Sequence, residues 1–92
     1  MSLERTVTLV PEAGLHARPA SKFVEAVNDH EAEISIGRPG EDPVQANSMI
    51  AVTSLGIEHG DDVHLVADGE DAEAALDELE RILTTPEEEA AT

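Results

Sequence analysis

The chain has 92 residues, with 21 acidic side chains against five basic ones, a formal net charge of −16 and no cysteine. A length of this order allows one domain with a thin core, so a surface site is expected in place of a deep cleft. Disulfides, thiolate metal sites and cysteine nucleophiles are excluded, nucleic acid is a poor partner for want of clustered Lys and Arg, and no run approaches the ~20 apolar residues of a membrane span.

The N-terminus has no signal-peptide pattern, so a cytoplasmic protein is expected. Lys22 is the single lysine and Phe23 the single aromatic residue. Such a composition fits a salt-adapted cytoplasm, where screening over about 3 Å at molar salt relieves self-repulsion. An ordinary acidic domain is the alternative.

In chain order, Leu3, Val7 and Leu9 alternate with Glu4, Thr6 and Thr8, the pattern of a half-buried strand. Pro11 ends it, and Glu12-Ala13-Gly14 reads as a turn. A helix then begins near His16 or Ala17, with Ala20, Phe23, Val24 and Val27 on one face. Pro19 fits in the first turn, where no intrahelical N–H is needed. Asn28-Asp29-His30 closes this helix. Ala32, Ile34 and Ile36 mark a second strand, residues 37–42 a turn-rich connection, and Val44 to Asn47 a third strand forming an antiparallel hairpin with the second. Ser48 can N-cap a short helix that Gly56 terminates. Val63 to Ala67 reads as a fourth strand. The last helix starts near Glu70, carries Ala72, Ala75, Leu76, Leu79, Ile82 and Leu83 on one stripe, and ends before Pro86. Its acidic first turn, Glu70, Asp71 and Glu73, suits the helix dipole. Residues 1–86 then form the domain and 87–92 an acidic tail.

The order β-α-β-β-α-β-α, with one apolar face per element, predicts an α+β open-faced sandwich: a four-stranded antiparallel sheet with three helices on one face. On the second helix Val52 and Leu55 fall on one side and Met49, Ile50 and Thr53 roughly opposite. A short helix cannot bury both sides, so an apolar patch suited to docking is expected at Met49 and Ile50.

Gly14-Leu15-His16-Ala17-Arg18-Pro19-Ala20 places a histidine where a strand gives way to a helix. Backbone N–H groups there lack intrahelical partners and favour an anion. Ala17 and Arg18 can supply them; Pro19 cannot. Arg18 and Lys22, four residues apart, share a helix face near His16, and a guanidinium matches phosphate oxygens. Imidazole is a competent nucleophile toward phosphorus. A plain N-cap at His16 beside a solvated cation stripe is the other reading, and spacing alone leaves both open.

Residues 14–20, GLHARPA, resemble the active-site motif of HPr, the histidine-containing phosphocarrier family of the phosphoenolpyruvate:sugar phosphotransferase system. Residues 47–56, NSMIAVTSLG, resemble that family's second helix, and the likeness runs through residues 3 to 85. The resemblance implies phosphorylation of His16 on Nδ1, with Arg18 contacting the phosphoryl group and Pro19 adjoining it. It further implies enzyme I as donor, a sugar-specific enzyme II component as acceptor, and a monomeric carrier without a cofactor. Such a carrier is a stoichiometric intermediate and no independent small-molecule enzyme. Met49 and Ile50 match apolar docking residues, and Thr53 and Lys22 join them in the expected docking surface. Ser48 matches a serine that a kinase phosphorylates in some members; a plain N-cap is the alternative there. Glu25, Asn28 and Ala51 add no positive charge to the docking surface, so recognition is expected to rest on the apolar patch. Two rival readings stay open: a carrier for a dihydroxyacetone kinase or nitrogen-regulatory branch, and a regulatory binding module acting through Ser48. His30, His59 and His64 read as surface or strand residues, with no metal site expected.

Overall fold

A computed structural model of the chain describes residues 2–86. The acidic tail expected at 87–92 lies outside the described residues. Strands β1 (Ser2–Thr8), β2 (Glu33–Gly37), β3 (Val44–Gln45) and β4 (Asp62–Asp68) alternate with helices α1 (Ala17–Asn28), α2 (Met49–Ser54) and α3 (Ala72–Leu83). The strands lie in the order β1-β4-β2-β3, every neighbouring pair antiparallel. The chain therefore leaves β1 through α1, skips one strand position, and the gap is filled only later by β4.

Side-chain alternation orients the sheet. Val7 opposite Val63, and Ile34 and Ile36 opposite Ala67 and Leu65, face the helices and are buried. Glu4, Thr6, Thr8 and Asp62 face solvent on the other side. The helices close over the inner face with Phe23, Leu76, Leu79 and Leu83, each essentially without exposed surface. No charged or polar side chain is buried in this layer.

Three details depart from the sequence reading. β3 stops at Gln45, because the Ser48 N–H turns back onto the Gln45 carbonyl, although the Ala46 N–H still pairs with Ile34. Arg5 takes an inward position of edge strand β1, opposite Leu65, and reaches out to Asp77 at 2.8 Å and Glu80 at 3.0 Å on α3. Its aliphatic stem lies along the sheet while its charge meets α3 at the rim. The third departure is at α3, which starts at Ala72 and keeps only Glu73 as an acid in its first turn.

Asp71, the N-cap at the positive end of α3, also takes a tertiary role. Its carboxylate makes no capping bond to its own helix. It accepts the Glu31 N–H at 3.0 Å and the Ala32 N–H at 2.9 Å, and meets His30 Nδ1 at 3.0 Å. His30 Nε2 in turn lies 2.7 Å from Glu78. The imidazole thus clasps the end of α1 to both ends of the first half of α3. Glu78 first, then Asp71, raise the His30 pKa above its ordinary value against the opposing effect of burial. Asp71 is held below the usual carboxylate range, mainly by the Glu31 N–H.

A raised histidine pKa stabilises the fold while the ring is charged. The contribution is therefore complete below about pH 6.5, the unfolded imidazole value, and is lost as pH climbs through the higher folded value. At constant molar KCl, the melting temperature of the wild-type protein should fall by a few degrees across that climb. His30→Ala should start lower and lack this part of the decline. Parallel curves for the two proteins above neutrality would refute the clasp.

Candidate active site

His16 is the N-cap of α1, extended at φ −136° and ψ 166°, half-buried, and its side chain makes no capping hydrogen bond. It is held by its neighbours. Leu15 on one side and Ala20 on the other have no exposed surface, and Pro19 is buried. A short, half-exposed stretch is thus pinned at both ends by the core.

Ala17 takes φ +51°, in the left-handed region, which costs an L-residue about 1 kcal/mol or more. The helix opens loosely behind it, its first bond running from the Ala20 N–H to the His16 carbonyl at 3.5 Å. Pro19 contributes no donor, so Ala17 and Arg18 carry the amides at the helix mouth. Both residues are exposed. The Cδ2 edge of His16 sits beside Gly14, 3.3 Å from where a Cβ would stand, which turns the Nδ1 edge away from Gly14. An anion held at the start of α1 would meet the positive end of the helix dipole, with Arg18 the second residue of the helix.

Lys22 is exposed one turn beyond Arg18 and lines a shallow groove between α1 and α3 with Glu25, Asp29, Glu78 and Arg81. The remaining candidates lie on α2. Ser48 accepts the Ala51 N–H at 3.2 Å and so caps the helix. Val52 is fully buried, Leu55 packs against the core, and Met49 and Ile50 are 38% and 79% exposed. These are the large apolar side chains left in solvent among the described residues. Thr53 is half-buried, and its hydroxyl donates to the Met49 and Ile50 carbonyls at 2.9 and 3.2 Å.

What the sequence did not disclose is the second loop that supports the first. Residues 57–61 are tied to residues 9–15 at four points: Leu9 N–H to Asp61 carbonyl, Gly60 N–H to Leu9 carbonyl, His59 Nδ1 to Val10 carbonyl, and Leu15 N–H to Ile57 carbonyl, all within 2.7–2.9 Å. Gly14 sits where its φ of +81° and the Ile57 carbonyl, 2.8 Å from a would-be Cβ, both require glycine. His59, an exposed residue as expected, therefore also braces the loop that carries His16. Among the described residues no group of three or more histidine and acidic side chains is arranged to hold a metal ion.

The family described as "PTS HPr component phosphorylation site" matches this chain over residues 3–85. The phosphocarrier protein HPr of Haloferax volcanii is 64% identical over 92% of this chain and 97% of its own. HPr of Streptomyces coelicolor is 42% identical over 94% and 92%. Among solved structures, HPr of Bacillus anthracis superposes with a TM-score of 0.84 at 34% identity, covering 89% of this chain and 96% of that one. The Haloferax relative agrees with the salt-adapted composition.

Gly14→Ala should lower stability by roughly 1–3 kcal/mol through strained φ and contact with Ile57. It should also shift the Leu15 amide and His16 ring signals in NMR spectra. An unchanged denaturation midpoint would contradict the close approach of the two loops.

Proposed function

The chain belongs to the HPr family of phosphotransferase-system phosphocarriers, and from that footing we propose that His16 receives a phosphoryl group from enzyme I and passes it to a sugar-specific enzyme II component. The observation that carries this reading is the N-cap ring of His16, uncommitted to capping and half-open to solvent beside the Ala17 and Arg18 amides.

In the forward step the Nδ1 lone pair attacks phosphorus while the bond from phosphorus to the donor's atom breaks, and its electron pair leaves with the donor. The acceptor repeats the same displacement on phospho-His16. Phosphoryl transfer asks mainly for alignment and charge stabilisation. The Ala17 and Arg18 N–H groups and the Arg18 guanidinium provide both. No cofactor takes part, and the protein is consumed and regenerated as a cytoplasmic monomer in place of turning over a small substrate.

Both partners dock across α2. Ile50 and Met49 form the apolar contact, with Thr53 beside them and Lys22 at the α1 margin. An exposed Met next to an Ile gives an adaptable surface that two different partners can share. Ser48 in this reading serves as the cap of α2, since its oxygen already holds the Ala51 N–H.

In molar KCl with phosphoenolpyruvate and the host's enzyme I, the wild-type protein should gain one acid-labile phosphoryl group by intact mass. His16→Ala should gain none. Acid-stable phosphate confined to Ser48 would overturn the carrier reading in favour of a regulatory module. Ile50→Glu should leave the melting temperature unchanged and raise the KM for enzyme I by about tenfold, equivalent to ~1.4 kcal/mol of lost docking energy; a KM equal to wild type would remove Ile50 from the interface.

A further inference from the structure

Resting on the carrier reading, we propose that Arg38 is a positioning residue for phosphoryl transfer at His16. It lies on the connection between β2 and β3, outside every motif singled out in the sequence. Its Nη2 donates to the Gly56 carbonyl at 2.9 Å and the Leu55 carbonyl at 3.3 Å, and its Nη1 to Asp61 Oδ2 at 3.3 Å. The same Asp61 oxygen accepts the Glu58 N–H at 2.9 Å. One guanidinium therefore joins the C-terminal end of α2 to both ends of the loop 57–61.

That loop has no strand or helix of its own. Its shape depends on the Arg38–Asp61 contact, on the Glu58 N–H, and on the four ties to residues 9–15. The last of those ties is the Leu15 N–H on the Ile57 carbonyl, one residue before His16. A displacement at Arg38 thus reaches His16 through two links, Asp61 to Glu58 and the adjoining Ile57 to Leu15. The end of α2 is held by the same fork, so the docking helix and the phosphorylated ring keep a fixed spacing. Leu55 and Gly56 carbonyls at a helix C-terminus carry partial negative charge, which a cation favours. A lysine ammonium is a point charge, whereas the planar fork engages separate acceptors through separate nitrogens. The lowered pKa of Asp61, caused first by the Glu58 N–H and then by Arg38, agrees with a carboxylate fixed in this geometry.

Near-attack alignment is sensitive to small displacements, and a slip of about 1 Å can cost up to a hundredfold in rate. Arg38→Ala should accordingly reduce kcat for phosphorylation by enzyme I about tenfold, while KM stays within about twofold because Met49 and Ile50 remain in place. The Leu15 amide should lose hydrogen-exchange protection, and the His16 ring signals should shift or broaden. Arg38→Lys should resemble Arg38→Ala in both readouts. Arg5→Ala, which severs the tie between β1 and α3, is the control for plain loss of stability: it should lower the melting temperature without changing kcat or Leu15 exchange. If Arg38→Ala does not fold, Asp61→Asn carries the test. It keeps an oxygen for the Glu58 N–H and removes the charge facing Arg38, and should lower kcat about threefold. Wild-type kcat and Leu15 protection in the folded variant overturn the positioning role. Failure of the wild-type protein to accept phosphate overturns the carrier reading instead, and the Leu15 and His16 signals, which need no partner, then decide the positioning claim alone.

Discussion

A single layer of apolar side chains between a half-wet sheet and three helices has to hold every element of this molecule, because a chain of this size has room for no second layer. Its strictness shows in what it excludes: among the described residues every fully buried side chain is apolar. Leu15, Pro19 and Ala20 belong to this layer, so the half-open ring between them is placed by burial on either side. That burial fixes the place of the ring in the fold without enclosing it.

Positive charge is scarce, and its distribution shows how the scarcity is managed. Arg5 ties β1 to α3, Arg38 ties the end of α2 to the loop 57–61, and Arg81 occupies the last turn of α3, where a cation suits the dipole. Arg18 and Lys22 alone stand on the helix that begins at His16. Arg5, Arg38 and Arg81 sit where separate pieces of chain, or a helix end, would otherwise gather carboxylates and carbonyls. Exposed pairs of this kind contribute little individually. The more consequential contacts are the partly sheltered ones that bridge segments distant in sequence, such as Arg38 with Leu55, Gly56 and Asp61.

The loop pair 9–15 and 57–61 joins the fold to the residue before His16. Backbone hydrogen bonds make up three of its four ties, the His59 ring makes the fourth, and at Gly14 a Cβ would strike the Ile57 carbonyl. Strain collects just beyond it, at the left-handed Ala17. Ala17 and Arg18 are both exposed at the helix mouth.

Periodicity in the sequence was enough for the elements, their inward faces, the sandwich architecture and the exposed Met49–Ile50 patch, because those follow from spacing along one segment. The place of His16 and Arg18 at the opening of a helix was legible for the same reason, as a local feature, whereas spacing left their role open. The strand order β1-β4-β2-β3, the inward Arg5, the His30 clasp, the ties of Ile57 and His59 to residues 9–15 and the contacts of Arg38 were settled only in three dimensions. Each joins residues that share no local pattern, and a hydrogen bond between distant segments leaves no period in the sequence to read. Asp71 marks the boundary between the two kinds of information: its place at the start of a helix suggested a dipole role, and the fold alone brought the N–H groups of Glu31 and Ala32 to its carboxylate.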